Sequence, residues 1–335
     1  MDQQHQRQGG DEMLESMINP YHLQVASFVL INIILGISIY ITLATGQISL
    51  GNAGFMGIGA YTSALVTLHF DVPIFIGIIL GAIVAGLIGL LVGLPTLRLQ
   101  GVFLAIATLG FGEVIRVLFI NWESITKGAI GISGIPHIGR EMLAAAKDWG
   151  INPADLGLRN NQFISLTVFL LLLLIVIILL WFFIRQNNSR VGRAFAAIKM
   201  DEPATEAMGV NITYYKILAF VQGAMISGFA GALYAHVTAY ISPADFSYHK
   251  AVEILIFAVF GGSEIIWGPV FGAALLTSLP EFLRSIADYR FMIYGAILVA
   301  MMAFRPQGIL DPLWFRNIKL GKRKSSVKRG ADHGA

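Results

Sequence analysis

Apolar residues run along most of this chain in long uninterrupted stretches, divided by short polar segments. Residues 22–44, 72–97, 162–184 and 217–240 hold no Asp, Glu, Lys or Arg. Each can cross a hydrocarbon core, which takes about 20 helical residues. Shorter apolar stretches cover 48–70, 102–120, 251–262, 268–283 and 291–304. The pair 251–262 and 268–283 reads as two short elements joined by GGSEIIWGP, with Gly261, Gly262, Gly268 and Pro269 as the turn signals. This pattern predicts an all-α polytopic membrane protein with about nine membrane-crossing or membrane-embedded helices (about 8–10), some short or broken.

Composition supports the bilayer. The chain is 56% hydrophobic and 13% charged, with a mean hydropathy of +0.71, against about 25% charged in soluble domains. It has no cysteine, which excludes disulfides and thiol-based metal or catalytic sites. The first twenty residues do not read as a cleavable signal. The chain divides into a polar tail (1–20), a membrane domain (21–312) and a basic tail (313–335).

Charge sets the expected orientation. Arg316, Lys319, Lys322, Arg323, Lys324, Lys328 and Arg329 follow one another without an acid, which places the C-terminus in the cytoplasm. Arg185, Arg190, Arg193, Lys199 and Lys216 do the same for the loop 185–216, whereas the balanced loop 121–161 and the acidic N-terminal tail suit the outside. The segment 241–250 is then external. Because the basic residues sit beside membrane spans, the net charge of +3 is no sign of nucleic acid; the chain's medium is membrane lipid.

Residues 46–61, GQISLGNAGFMGIGAY, contain five glycines, at 46, 51, 54, 57 and 59, with no two of them four apart. Gly77 and Gly81, and Gly89 and Gly93, have the four-residue spacing of close helix packing. The irregular set reads either as packing or as a break in the helix beside a translocation pathway, where transporters use unwound backbone to meet a solute. Gly46, Gln47, Ser49, Gly51 and Asn52 are the pathway candidates on that reading. Glu113 is a further one: with Arg116 it forms a pair three residues apart in a span. The other reading of that pair puts it at the outer interface.

In the loop 185–216, residues 189–199 predict one helix, and Asp201 and Glu202 before Pro203 predict a second that stops at Gly209. This short helix either docks a soluble partner or lies on the headgroups. Its acids Asp201, Glu202 and Glu206 favour docking. No phosphate-binding loop, metal-ligand spacing or hydrolase motif occurs in the sequence. No catalytic or metal-binding residue is predicted, and nothing points to a membrane enzyme.

Several ordered motifs resemble the permease subunits of branched-chain amino acid (Liv-type) ABC importers. They are GQISLGNAGFMGIGAYTSAL (46–65), GLPTLRLQGVFLAIATLGFGEVIR (93–116), TKGAIGISGIP (126–136), SRVGRAFAAIKMDEPATEAMGVNITYYKILAF (189–220), GFAGALYAH (228–236), FGGSEIIWGPVFGAAL (260–275) and RPQGIL (305–310). The resemblance implies a bacterial inner (plasma) membrane permease. It implies a second permease subunit, two cytoplasmic ATPases that bind the ATP-Mg, and a periplasmic or lipid-anchored solute-binding protein. No cofactor belongs to this chain itself.

The resemblance also implies that Asp201, Glu202, Ala204, Glu206, Ala207 and Gly209 couple to the ATPase. The external loop with Gly128, Gly131, Gly134 and Pro136 would meet the binding protein. Urea and short-amide permeases carry similar signatures and form the alternative substrate class; an ion-coupled secondary transporter is the alternative mechanism. Compared with the family, a polar N-terminal tail replaces a hydrophobic segment, Lys127 and Ala129 alter the external loop, and Glu264 adds a charge to the turn 261–268.

Overall fold

A computed structural model describes residues 19–282, apart from 97–98, 100, 149, 151–152 and 154–157, together with isolated positions between 289 and 299. The predicted element 291–304 and both tails lie outside the described helices. The remaining eight predicted membrane elements are all helical. They are α1 (Pro20–Leu43), α2 (Asn52–Phe70), α3 (Ile74–Thr96), α4 (Val102–Asn121), α7 (Asn160–Asn187), α10 (Ile212–Thr238), α11 (Tyr248–Gly261) and α12 (Trp267–Phe282). Five of them, α1, α3, α4, α7 and α10, are long and apolar enough to span a membrane.

Short elements fill the connections. The long loop carries α5 (Glu123–Thr126), a 3-10 turn at Gly128–Ile130, β1 (Ile132–Ser133) and α6 (Ile138–Asp148). The segment expected to be cytoplasmic carries α8 (Arg190–Met200) and α9 (Glu202–Ala207). Strand β2 (Tyr240–Ile241) pairs antiparallel with β1, Ile132 opposite Ile241.

Helices α2 and α10 form the centre, and their packing explains the irregular glycines. α10 lies against α1, α2 and α3, while α2 also meets α3 and α4. The glycines of α2 face neighbours on more than one side. A Cβ at Gly54 would lie 2.8 Å from Gly112 Cα of α4, one at Gly57 3.1 Å from the rings of Phe119 and Phe246, and one at Gly59 2.0 Å from the Gly228 carbonyl of α10. A helix surrounded on several sides needs small residues at several angles, so the four-residue spacing of a single seam is lost. On α3, which packs along one face, the spaced glycines do form such a seam. Cβ atoms at Gly81 and Gly89 would lie 2.6 Å from the Gly59 carbonyl and 2.5 Å from Ala224 Cβ.

The segment after α10 is a surprise relative to its sequence. Residues 241–250 read as an external loop, yet Ile241, Pro243 and Phe246 are buried. A second 3-10 turn (Pro243–Phe246) tucks Phe246 against Tyr61 of α2, which stacks on Phe119 of α4 with ring centroids 4.1 Å apart. This short stretch plugs the end of the helix bundle between α2 and α4. From it α11 and α12 run out and back as a hairpin. Its turn carries Glu264, which pairs with Lys199 of α8 at 2.8 Å. The turn and α8 therefore lie at the same end of the molecule.

Candidate functional site

The break between α1 and α2 lies at this same end. α1 terminates at Leu43 through overlapping turns: Gly46 N–H donates to the Leu43 carbonyl at 3.0 Å and Gln47 N–H to the Thr42 carbonyl at 3.1 Å. Gly46 adopts φ +77°, the left-handed region in which glycine is unstrained. Residues 47–50 have no regular structure, and α2 restarts at Asn52 after its N-cap Gly51. Two backbone donors of the break are met by side chains, Leu50 N–H by Thr108 Oγ1 at 2.9 Å and Gly51 N–H by Ser49 Oγ at 3.3 Å. This is how an unwound segment stays satisfied where it leaves the bundle.

The pathway candidates divide into two groups. Gly46 and Gln47 line an open cleft of about 650 Å³ together with Thr45, Lys199, Asp201, Glu202, Glu206 and Lys216. Gly46 and Gln47 of the pathway candidates thus share one cleft with Asp201, Glu202 and Glu206 of the coupling candidates, some 155 residues away in sequence. Asn52 turns inward instead. Its Nδ2 donates to Ser38 Oγ of α1 at 2.8 Å, and Ser227 Oγ of α10 donates to the same oxygen at 2.9 Å, all three residues being buried. Three central helices are thereby tied together by hydroxyl and amide groups just inside the break.

Glu113 is placed away from the cleft. Its Oε2 accepts from Arg116 Nε at 2.7 Å and its Oε1 from the backbone N–H of Tyr248 at 2.8 Å. Ser247, at the N-cap of α11, makes no side-chain cap of its own, so a carboxylate from α4 caps α11 and benefits from its dipole.

The short helix α9 forms as expected. Asp201 caps it by accepting from Ala204 N–H at 3.0 Å, and Pro203 sits in the first turn. It closes with Gly209 at φ +81°, whose N–H donates to the Glu206 carbonyl at 2.8 Å while Val210 N–H reaches the Thr205 carbonyl. This is a Schellman closure, open to glycine because of the left-handed residue. Thr205 is buried beneath the helix, while Pro203, Ala204, Glu206, Ala207 and Met208 face outward. Glu202 differs from the other acids: it holds the Lys216 ammonium at 2.5 Å and so anchors α9 to α10.

The long loop holds its glycines at positive φ: Gly128 at +60°, Gly131 at +81° and Gly134 at +79°. A Cβ at Gly131 would lie 2.2 Å from the Ile241 carbonyl, so only glycine lets β1 approach β2. The Pro136 carbonyl accepts from Nδ1 of buried His236 at 2.8 Å, and His236 Nε2 meets Ser63 Oγ at 2.9 Å. The loop is tied to α10 and α2 by this histidine. Its sequence gave no hint of that role, because Ser63, Pro136 and His236 are far apart in the chain. His137 next to it lies partly buried beside Arg140, and burial followed by that positive charge pushes its pKa down. Its Nδ1 accepts from Gly139 N–H at 3.1 Å.

Comparison with known proteins agrees with this architecture. Residues 21–302 match the family described as branched-chain amino acid transport system / permease component. The high-affinity branched-chain amino acid transport system permease protein LivM of Salmonella typhimurium is 34% identical over 322 residues, covering 94% of this chain and 75% of that protein. LivM of Escherichia coli is 34% identical over 312 residues, covering 91% and 73%. The permease protein LivH of Escherichia coli is 30% identical over 125 residues, covering 36% and 40%. No solved structure gives a significant match. A multi-pass helical bundle, with a matched span that reaches across nearly all of it, makes this chain a member of the branched-chain amino acid transport permease family.

Proposed function

We propose that this chain is one of two permease subunits of an ATP-driven importer for branched-chain amino acids in a bacterial inner membrane, with its C-terminus in the cytoplasm. The relatives named LivM and LivH support a system of two permease polypeptides and a branched-chain substrate. A pair of ATPases binds ATP-Mg and docks on α9; a periplasmic or lipid-anchored binding protein delivers solute to the loop with Gly128, Gly131, Gly134 and Pro136.

The observation that carries this reading is the cleft shared by α9 and the Gly46–Gln47 break. A six-residue helix with one buried residue has too little contact to justify itself as a packing element. It exposes Ala204, Ala207 and Met208, the last at 84%, around Glu206. Such an apolar patch with one carboxylate suits a protein groove. Motion of α9 under an ATPase would act on the break through Asp201, Glu202 and Lys199, which line the same cleft. Gln47, only 5% exposed and hydrogen-bonded through Oε1 to Thr45 Oγ1 at 3.2 Å, is the polar side chain such a motion would release.

The test is co-purification of the ATPase with a Glu206→Lys/Met208→Ser variant. Both side chains are exposed and Glu206 makes no ion pair among the described residues. Loss of the ATPase with normal membrane insertion is expected. Undiminished co-purification would remove α9 as the docking element. Glu202 is unsuitable for this test because its replacement also strands Lys216.

A further inference from the structure

Among the described residues, three helices present broad apolar faces outward. α3 does so with Phe75, Ile79, Leu87 and Leu91, and α7 with Leu170, Leu174, Ile177 and Trp181. Neither stretch holds a charge between 74 and 96 or between 160 and 184, so acyl chains can cover both. α4 is different. Phe103, Ile106, Val114 and Val117 are 73%, 61%, 64% and 46% exposed and repeat at helical spacing. Gly110 belongs to the same stripe, and a Cβ there would meet nothing within 4 Å.

The Glu113–Arg116 ion pair accompanies this stripe, each side chain 30% exposed. At 1.5 Å per residue Glu113 stands about 17 Å along a helix about 30 Å long, inside the apolar run of α4. Arg116 Nε turns back one helical turn to Glu113, and among the described residues its other N–H groups have no acceptor. Charged groups at this depth are tolerated against protein or water, and strongly disfavoured against lipid. Unspent guanidinium donors call for oxygen acceptors on whatever covers them.

We propose that this face of α4 seats the second, non-identical permease subunit, which offers an acceptor to the Arg116 guanidinium at membrane depth. The inference rests on the two-permease reading above and adds the surface to it. Small Gly110 lets a partner helix approach closely, as lipid-embedded interfaces require. A second copy of this chain fits poorly. A twofold contact through identical α4 faces, with the axis along the membrane normal, would set Arg116 level with Arg116.

The experiment places p-benzoylphenylalanine at 114 on α4, or at 174 on α7, in the complete transporter in membranes. Illumination at 114 should give an adduct with the second permease subunit, and illumination at 174 should give none. A partner adduct from 174 but not 114, or a 114 adduct joining two copies of this chain, would overturn the assignment. Co-purification of the unmodified chain with its partner separates the two failures. A partner present but never captured from 114 refutes the surface alone, whereas no second permease in the complex refutes the assembly and the surface with it. As a second readout, Arg116→Leu keeps Glu113 available to cap α11, yet should reduce the second permease recovered with the chain; full recovery would contradict the acceptor.

Discussion

Replacing Glu202 by Gln tests how α9 is held. The change keeps shape and removes the charge that holds the Lys216 ammonium. Breaking a buried pair by removing one partner costs about 3–5 kcal/mol, whereas an exposed pair contributes about 0–1 kcal/mol. Here the lysine side chain is 10% exposed and the glutamate 35%. Screening at the glutamate therefore brings the loss to about 2 kcal/mol. At about 1.4 kcal/mol per tenfold, the equilibrium between seated and lifted α9 shifts about 30-fold.

The readout is a cysteine at 205, the residue buried under α9, in a chain that has no other cysteine. In inside-out vesicles, a membrane-impermeant maleimide should label Thr205→Cys slowly. It should label the Thr205→Cys/Glu202→Gln variant about 30-fold faster, since label enters only when the helix lifts. Adding Lys216→Met removes the stranded ammonium and should return the rate toward that of the parent. An unchanged rate in the Glu202→Gln background would refute the idea that this pair seats the helix.

Three further outcomes follow from the geometry. Gly59→Ala places a methyl group 2.0 Å from the Gly228 carbonyl, so α2 and α10 must separate; overpacking of about 1–3 kcal/mol or more should lower the thermal midpoint of the detergent-solubilised protein. Gly134→Ala meets no atom within 4 Å but sits at φ +79°, so it should cost about 1 kcal/mol from backbone strain alone, as read by the same midpoint. His137 has its folded pKa depressed below the ordinary value of about 6.5 by burial and Arg140. The unfolded chain takes up the proton first as pH falls, so stability holds above about pH 6.5 and declines below it, until the folded group also titrates. Thermal unfolding scanned against pH should show that acid slope, and His137→Asn should reduce it.

The sequence was most informative where physics acts locally. Helices α1, α3, α7 and α10 follow from uncharged apolar runs, because hydrocarbon forces backbone groups to pair within one segment. Asp201, Pro203 and Gly209 marked α9 because caps and turns are short-range. What the sequence hid depends on contacts between distant residues. Lys199 meets Glu264 across 65 positions, and Glu113 caps α11 from 135 positions away. Polar, proline-containing 241–250 looked like a loop, yet Phe246 inserts beside Tyr61 because a pocket between α2 and α4 needs filling. The glycines of α2 read ambiguously since their partners lie on separate helices.

Uptake tests the central claim most directly. Cells with and without this chain would be given labelled leucine or labelled urea, before and after ATP depletion. The account predicts that removing the chain abolishes an ATP-dependent leucine uptake and leaves urea uptake unchanged. Loss of urea uptake alone would replace the substrate, and leucine uptake through this chain that survives ATP depletion would contradict the ATP-driven mechanism.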